Sequence, residues 1–279
     1  MEDRNDNLPV LSFFLLVVFV GSVAPALAVQ EWNILVLRVD FPLEEPGEST
    51  TTGMGKFDLR SFEEALPDYS FPYDTPPHDR FYFENHLKAL ARYYQVVSRG
   101  EIEISSAVFP RDLNEVYTLP GSALSYGNGR TAEEIGEKWV QLFRAAVELA
   151  DADPNGPLFR DFNSFLIIHA GVGNETGQFN DIRSVYLAPE DMAAFLQEPL
   201  LADDGQFEIG DGWILPEAVS LRGQGGLNGL MAKFFGHQLG LPGLSNFADG
   251  LPAVGGWSLM DIGANNLGFV LADSSLQPV

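Results

Sequence analysis

Two periods of apolar spacing alternate along this chain, and the changes of period mark the expected elements. Trp32-Asn33-Ile34-Leu35-Val36-Leu37-Arg38-Val39-Asp40-Phe41-Pro42 is rich in aliphatic and β-branched residues and closes on a proline, which predicts a largely buried strand. From Arg80 to Val97 the apolar side chains fall at Phe83, Leu87, Leu90, Ala91, Tyr94 and Val97, the spacing of a helix face, and Gly100 supplies a stop. Glu101-Ile102-Glu103-Ile104 returns to period two, as a strand does. A second helix is marked at its start by Thr131 and Glu134 in capping-box relation, and continues as a stripe of Ile135, Trp139, Leu142, Phe143, Ala146 and Leu149.

Asn163 to His169 predicts a further buried strand, and Arg183 to Ala188 another after a glycine-rich connection. Leu227 to Leu239 carries Leu227, Leu230, Met231, Phe234 and Phe235, a broadly apolar helix that ends at Gly240 before Pro242. Strands and helices alternate, so the expected class is α+β in the broad sense, a mixed α/β fold. The stretch 43–79 is dense in Pro, Gly, Ser, Thr and acid with little period, and is expected to be an irregular surface excursion from one domain, not a linker between two.

A chain of 279 residues with 46% hydrophobic content can bury a substantial core. Its 39 acidic against 16 basic residues give a formal charge of −23 spread along the sequence, a surface that repels phosphate, so nucleic acid is not an expected partner. The apolar run Leu11 to Val20 is short for a membrane span and is followed by Ala26-Leu27-Ala28, a small-residue cleavage pattern. A signal peptide over 1–28 is expected, leaving 29–279 as an exported domain, secreted, periplasmic or at the cell surface, with no membrane attachment after cleavage. Glu2, Asp3 and Asp6 outweigh Arg4 where a positive segment is usual, and an uncleaved anchor is the alternative. With no cysteine, disulfides and thiolate chemistry are both excluded, and export without cysteine suits a bacterial protein.

The segment Met231-Ala232-Lys233-Phe234-Phe235-Gly236-His237-Gln238-Leu239-Gly240-Leu241-Pro242 resembles the zinc helix of secreted metallopeptidases of the immune inhibitor A family, and Gly256-Trp257-Ser258-Leu259-Met260-Asp261 resembles their methionine turn. Val36 to Pro42, Arg92-Tyr93-Tyr94 through Ser98-Arg99-Gly100, and Ile168-His169-Ala170-Gly171 with Asp181-Ile182-Arg183-Ser184 follow the order of that family. The resemblance implies a zincin-like fold with a mixed sheet, a buried active-site helix and a methionine turn at Met260, and zinc as the family's cofactor. Family members usually continue beyond the point matching Val279, so a C-terminal truncation of the fold is expected.

In that family two histidines one helical turn apart hold zinc, and a glutamate beside the first activates the metal-bound water. Here the five positions read Lys233-Phe234-Phe235-Gly236-His237. An ammonium at Lys233 has no lone pair to give a metal, and a phenyl ring at Phe234 cannot carry the general base's proton. Gly243 stands where the family's third, acidic ligand is usual. His237 is the one surviving ligand position, and zinc proteolysis is not expected of a lone imidazole. His237 also reads as an ordinary helix residue satisfied by a carbonyl, while His78, His86 and His169 show no ligand spacing.

Three functions stay open: a pseudopeptidase that binds a peptide or protein, an active zinc endopeptidase in which Glu217, Asp249 or Asp261 lends oxygen beside His237, and an accessory domain of a larger exported protein. Asp151-Ala152-Asp153-Pro154-Asn155-Gly156 resembles the first half of a calcium loop, with Asp151, Asp153 and Asn155 as candidate ligands. Its twelfth position is Phe162, so an acidic turn closing a helix competes with calcium there.

Overall fold

A computed structural model describes residues 29–68, 74–175, 177–220, 226–244, 251–265, 269–270 and 276–277. The expected signal peptide at 1–28 and Asp249 lie outside the described residues. In chain order the elements used below are β1 (Gln30–Asp40), α1 (Phe62–Ala65), α2 (Arg80–Val97), β2 (Ile102–Phe109), β3 (Tyr117–Thr118), α3 (Ala123–Gly127), α4 (Ala132–Asp151), β4 (Ser164–Val172), β5 (Val185–Leu187), α5 (Pro189–Phe195), β6 (Leu201–Ala202), β7 (Phe207–Glu208), β8 (Gly212–Ala218) and α6 (Leu227–Gln238). Among the described residues no helix is long and apolar enough to cross a membrane.

The fold is α+β around one mixed, mainly parallel sheet. Its strands run in the order β2-β1-β4-β8-β5, with β3 pairing the end of β1. The pairings along β2-β1-β4-β8 are parallel, and β5 alone runs antiparallel to β8 at the edge. β4 and β8 are buried along their whole length, as is β1 from Ile34 onward, which is why these strands read as continuous apolar runs and not as alternation.

Right-handed crossovers put the helices on opposite faces, because the chain steps from β1 to β2 in one direction and from β2 past β1 to β4 in the other. The side chains agree. Phe235 of α6 meets Trp32 of β1 at 5.3 Å, Trp213 of β8 at 6.2 Å and Tyr94 of α2 at 4.8 Å between ring centroids, so α2 and α6 share one face. Gly212, one residue before Trp213, points the other way, where an added Cβ would lie 2.3 Å from the ring of Phe143 on α4.

Local signals decide the helix ends. Asp79 caps α2 by accepting from Tyr82 N at 3.0 Å, and the helix closes on Arg99 and Gly100 with φ of 57° and 84°. Phe83, Leu87, Leu90 and Tyr94 face the core as their spacing predicts, whereas Val97, in the last turn, is exposed. The capping box of α4 is complete: Thr131 Oγ1 accepts from Glu134 N at 3.1 Å, and Glu134 Oε2 from Thr131 N at 3.2 Å.

One strand departs from the sequence reading. β8 was not visible there, because Pro216 lies within it and proline lacks the N–H a central strand donates. Pro216 is tolerated because it lies beyond the reach of β5 and beside the register shift that β4 makes between His169 and Val172. Within the stretch 43–79, of which residues 43–68 and 74–79 are described, several side chains turn in towards the body. Thr51, Thr52, Phe57, Ala65 and His78 are all buried. Gly53 and Gly171, at φ of 86° and 90°, let two backbones touch: a Cβ on Gly171 would meet Thr52 O at 2.7 Å. Asp181 secures the contact by accepting from Thr52 N at 2.8 Å and Thr52 Oγ1 at 3.1 Å.

Arg38, fully buried in β1, donates to the carbonyls of Leu113 at 2.9 Å, Asp112 at 2.8 Å and Pro110 at 3.2 Å, and burial lowers its pKa to about 10. Replacing Arg38→Ala leaves those carbonyls without their donor and opens a void, which should lower stability by about 3–5 kcal/mol in chemical denaturation. A loss within about 0.5 kcal/mol would show that water satisfies the loop equally well.

Candidate functional site

Helix α6 and the turn that follows it form the site that the sequence singles out. Gly229 and Gly236 lie on the helix face that meets this turn, and both contacts are close. A Cβ on Gly229 would come within 2.2 Å of Ala264 O, and one on Gly236 within 3.0 Å of Met260 Sδ and 3.0 Å of Tyr94 Oη. Met260 is therefore placed against α6. Leu244 N donates to Met260 O at 2.9 Å, so the exit from α6 is tied to the same turn.

Lys233 Nζ donates to the carbonyl of Asp261 at 3.0 Å, a strut from helix to turn. Burial lowers the pKa of this lysine, against the opposing charges of Glu175 and Asp261. Phe234 packs partly against the core, with its ring 5.7 Å from that of His237. His237 is half-buried near the last turn, with Nδ1 3.0 Å from Leu241 O. Burial also lowers its pKa, the bond to Leu241 O opposes that, and the charge on Lys233 adds to the lowering.

These residues do not fit zinc. Lys233 spends its ammonium on a backbone carbonyl, Phe234 offers no donor atom, and Gly243 has no side chain. Asp261 is fully buried, with Oδ2 accepting from Val254 N at 2.8 Å and Gly255 N at 2.9 Å, so its carboxylate closes its own turn and does not reach for His237. Glu217 is held among other donors, described below, and Asp249 is outside the described residues. Among the described residues no group of three or more His, Asp or Glu is arranged to hold a metal ion.

The calcium-like run assembles as a helix-closing turn. Asp151 Oδ1 accepts from Asp203 N at 2.8 Å, while Asp153 accepts from Asn155 N at 2.9 Å and from the Tyr117 hydroxyl at 3.0 Å. Gly156 N bonds Asp153 O at 2.8 Å, and a Cβ on Gly156 would strike Ala150 O at 2.1 Å, so the glycine serves the turn. The acids stabilise the end of α4 and its junction with the β6–β7 hairpin.

The other histidines are structural in different ways. His169 is buried in β4 with Nδ1 2.9 Å from Ala170 O, and burial pushes its pKa down to about 4, which keeps the ring neutral. His86 joins α2 to α6, with Nδ1 2.7 Å from Asn228 Oδ1 and Nε2 3.2 Å from Asp74 Oδ1.

A second site was not legible in the sequence. A cavity of about 380 Å³ opens at the carboxyl ends of β4 and β8, roofed by the stretch after β1 and lined among others by Met54, Phe57, Lys56, Val172, His78 and Glu217. Crevices at strand carboxyl ends are where open parallel sheets bind ligands. His78 and Glu217 are 139 residues apart yet touch at 2.7 Å, and Glu217 also accepts from Asp58 N and Gly171 N, each at 2.7 Å. Neither residue sits in a recognisable motif, and Glu217 belongs to the strand that Pro216 concealed. No protein-family model matches the chain, and no curated protein matches it.

Replacing Gly229→Ala tests whether α6 depends on its close approach to the turn. Alanine gains about 1 kcal/mol of helix propensity, but the clash is with backbone that cannot swing aside, so overpacking of about 1–3 kcal/mol should win. Thermal unfolding should move down by several degrees, and an unchanged or higher midpoint would mean that the turn is free to shift away.

Proposed function

We propose that this chain is an exported, metallopeptidase-like domain that no longer catalyses zinc proteolysis and instead holds an extended peptide or protein segment. The observation that carries the reading is the bond from Lys233 Nζ to the carbonyl of Asp261. At the position where the resembled family coordinates metal, this protein has a side chain that braces the helix against the turn. Phe234 removes the base and packs partly against the core, so both residues make structural contacts while removing the means of activating water.

Two features support binding. β5 is antiparallel at the sheet's end and contacts α6, so an extended segment laid along it can extend the sheet through main-chain hydrogen bonds. Trp257 in the turn is 97% exposed, and Leu251, Val254 and Ile262 nearby are exposed as well, apolar surface of the kind that partners cover.

Elemental analysis of the purified protein should find zinc well below one per chain, and digestion of an unstructured protein substrate should be the same with and without chelator. Stoichiometric zinc together with chelator-sensitive cleavage would sink the proposal. Restoring the family's residues in the triple variant Lys233→His, Phe234→Glu, Gly243→Asp should create zinc binding that the parent chain lacks. No gain in a folded triple variant would count against the motif alignment itself.

A further inference from the structure

The geometry points to His78 as a proton-operated latch. As an imidazolium between Glu217 and the carbonyl of Asp74, it holds the described residues 43–60 closed over the cavity at the carboxyl ends of β4 and β8, and it releases them on losing a proton. The inference is independent of the zinc reading and concerns the other end of α6.

Hydrogen-bond accounting carries it. His78 Nε2 lies 2.9 Å from Asp74 O, and Nδ1 lies 2.7 Å from Glu217 Oε1. A carbonyl can only accept. Glu217 receives two backbone N–H groups besides, from Asp58 on Oε1 and from Gly171 on Oε2, so both of its oxygens already act as acceptors. Both ring nitrogens must therefore donate, and only the doubly protonated ring does so. Removing one proton turns a lone pair towards an oxygen at hydrogen-bond distance, so a bond becomes a repulsion inside a site where His78 is 1% exposed.

The surrounding groups favour the charged ring. Glu217 faces it from β8. From its own stretch, Asp58 accepts His78 N at 2.8 Å through its carbonyl, while the Asp58 carboxylate pairs with Arg60 at 2.7 Å. Arg60 is shared with Asp68, and Lys56, which lines the same cavity, pairs with Asp40 at 2.8 Å. From α2, the Tyr82 ring stacks 4.4 Å from His78 and separates it from His86, and Asp79 is occupied in capping the helix. Burial pulls the pKa of His78 down, but the hydrogen bond and charge of Glu217 outweigh it, with Asp74 O and Asp58 assisting, and the net direction is upward.

The sign follows. A raised folded pKa means that the latch contributes in full below the ordinary histidine value of about 6.5, and the contribution disappears as pH rises through the higher folded value. Asp74 is the residue that transmits the release. It is held at φ 42°, in the left-handed region that is unfavourable for aspartate, with its carbonyl on His78, Oδ1 on His86 and Oδ2 accepting at 2.6 Å from Leu227 N, the first residue of α6. Loss of the His78 bond frees the carbonyl of this strained residue and loosens the start of the helix that carries Lys233 and His237.

Two measurements on the full-length protein test this. Nitrogen NMR of the histidine rings should show both His78 nitrogens protonated at about pH 6, with a titration midpoint above about 6.5. Trypsin cleavage after Lys56 and Arg60, normalised to the free 43–79 peptide at each pH, should rise about tenfold between about pH 6 and pH 9. In Glu217→Gln that normalised rate should be high at both pH values. A singly protonated His78 ring at the lower pH, or a normalised rate that does not change in the wild type, overturns the latch. Both readings use the wild-type protein and stand even if the variant fails to fold.

Discussion

The burial of β1, β4 and β8 on both faces is the constraint from which the rest of the structure follows. Strands without a wet face need helices above and below, and parallel strands need crossover connections long enough to supply them. The two requirements are met together by α2 and α6 on one side and α4 with α5 on the other. Because the buried strands run in one direction, their carboxyl ends open on one edge of the sheet. The cavity and the His78–Glu217 pair both form along that edge.

The same burial fixes α6. Phe235 reaches both Trp32 and Trp213 across the sheet, and Tyr94 Oη donates to Ala232 O at 2.6 Å from α2. Gly229 and Gly236 bring the turn at Met260 and Ala264 into contact with the helix. A helix fixed by two aromatic rings, a buried hydroxyl and two glycine contacts has its orientation set before any ligand arrives. Lys233 and Phe234 are then free to serve packing, and they do.

The stretch 43–79 is held by a different kind of force. Its described residues are attached through polar contacts: Asp181 to Thr52, Glu217 to Asp58 and His78, Asp74 to α6. Buried polar contacts of this kind are strong when every partner is satisfied and costly when one is lost. A roof fastened this way responds to a single proton, whereas the apolar core beneath it does not.

Much of the scaffold was legible in the chain: the apolar run that becomes β1, the face of α2, the capping box of α4 and the glycine exit of α6 are local signals, decided by spacing and by side chains within four residues of one another. What Lys233 and Phe234 can donate or accept is also written in the sequence, since it depends only on what those side chains are made of. Tertiary structure alone decided the rest. It made a central strand of a segment containing Pro216, gave Asp151 and Asp153 partners distant in sequence, buried Thr52 and Phe57 against the body, and brought His78 to Glu217. Each of these depends on contacts between residues distant in sequence, where local propensity carries no information and the paired burial of polar groups determines the outcome.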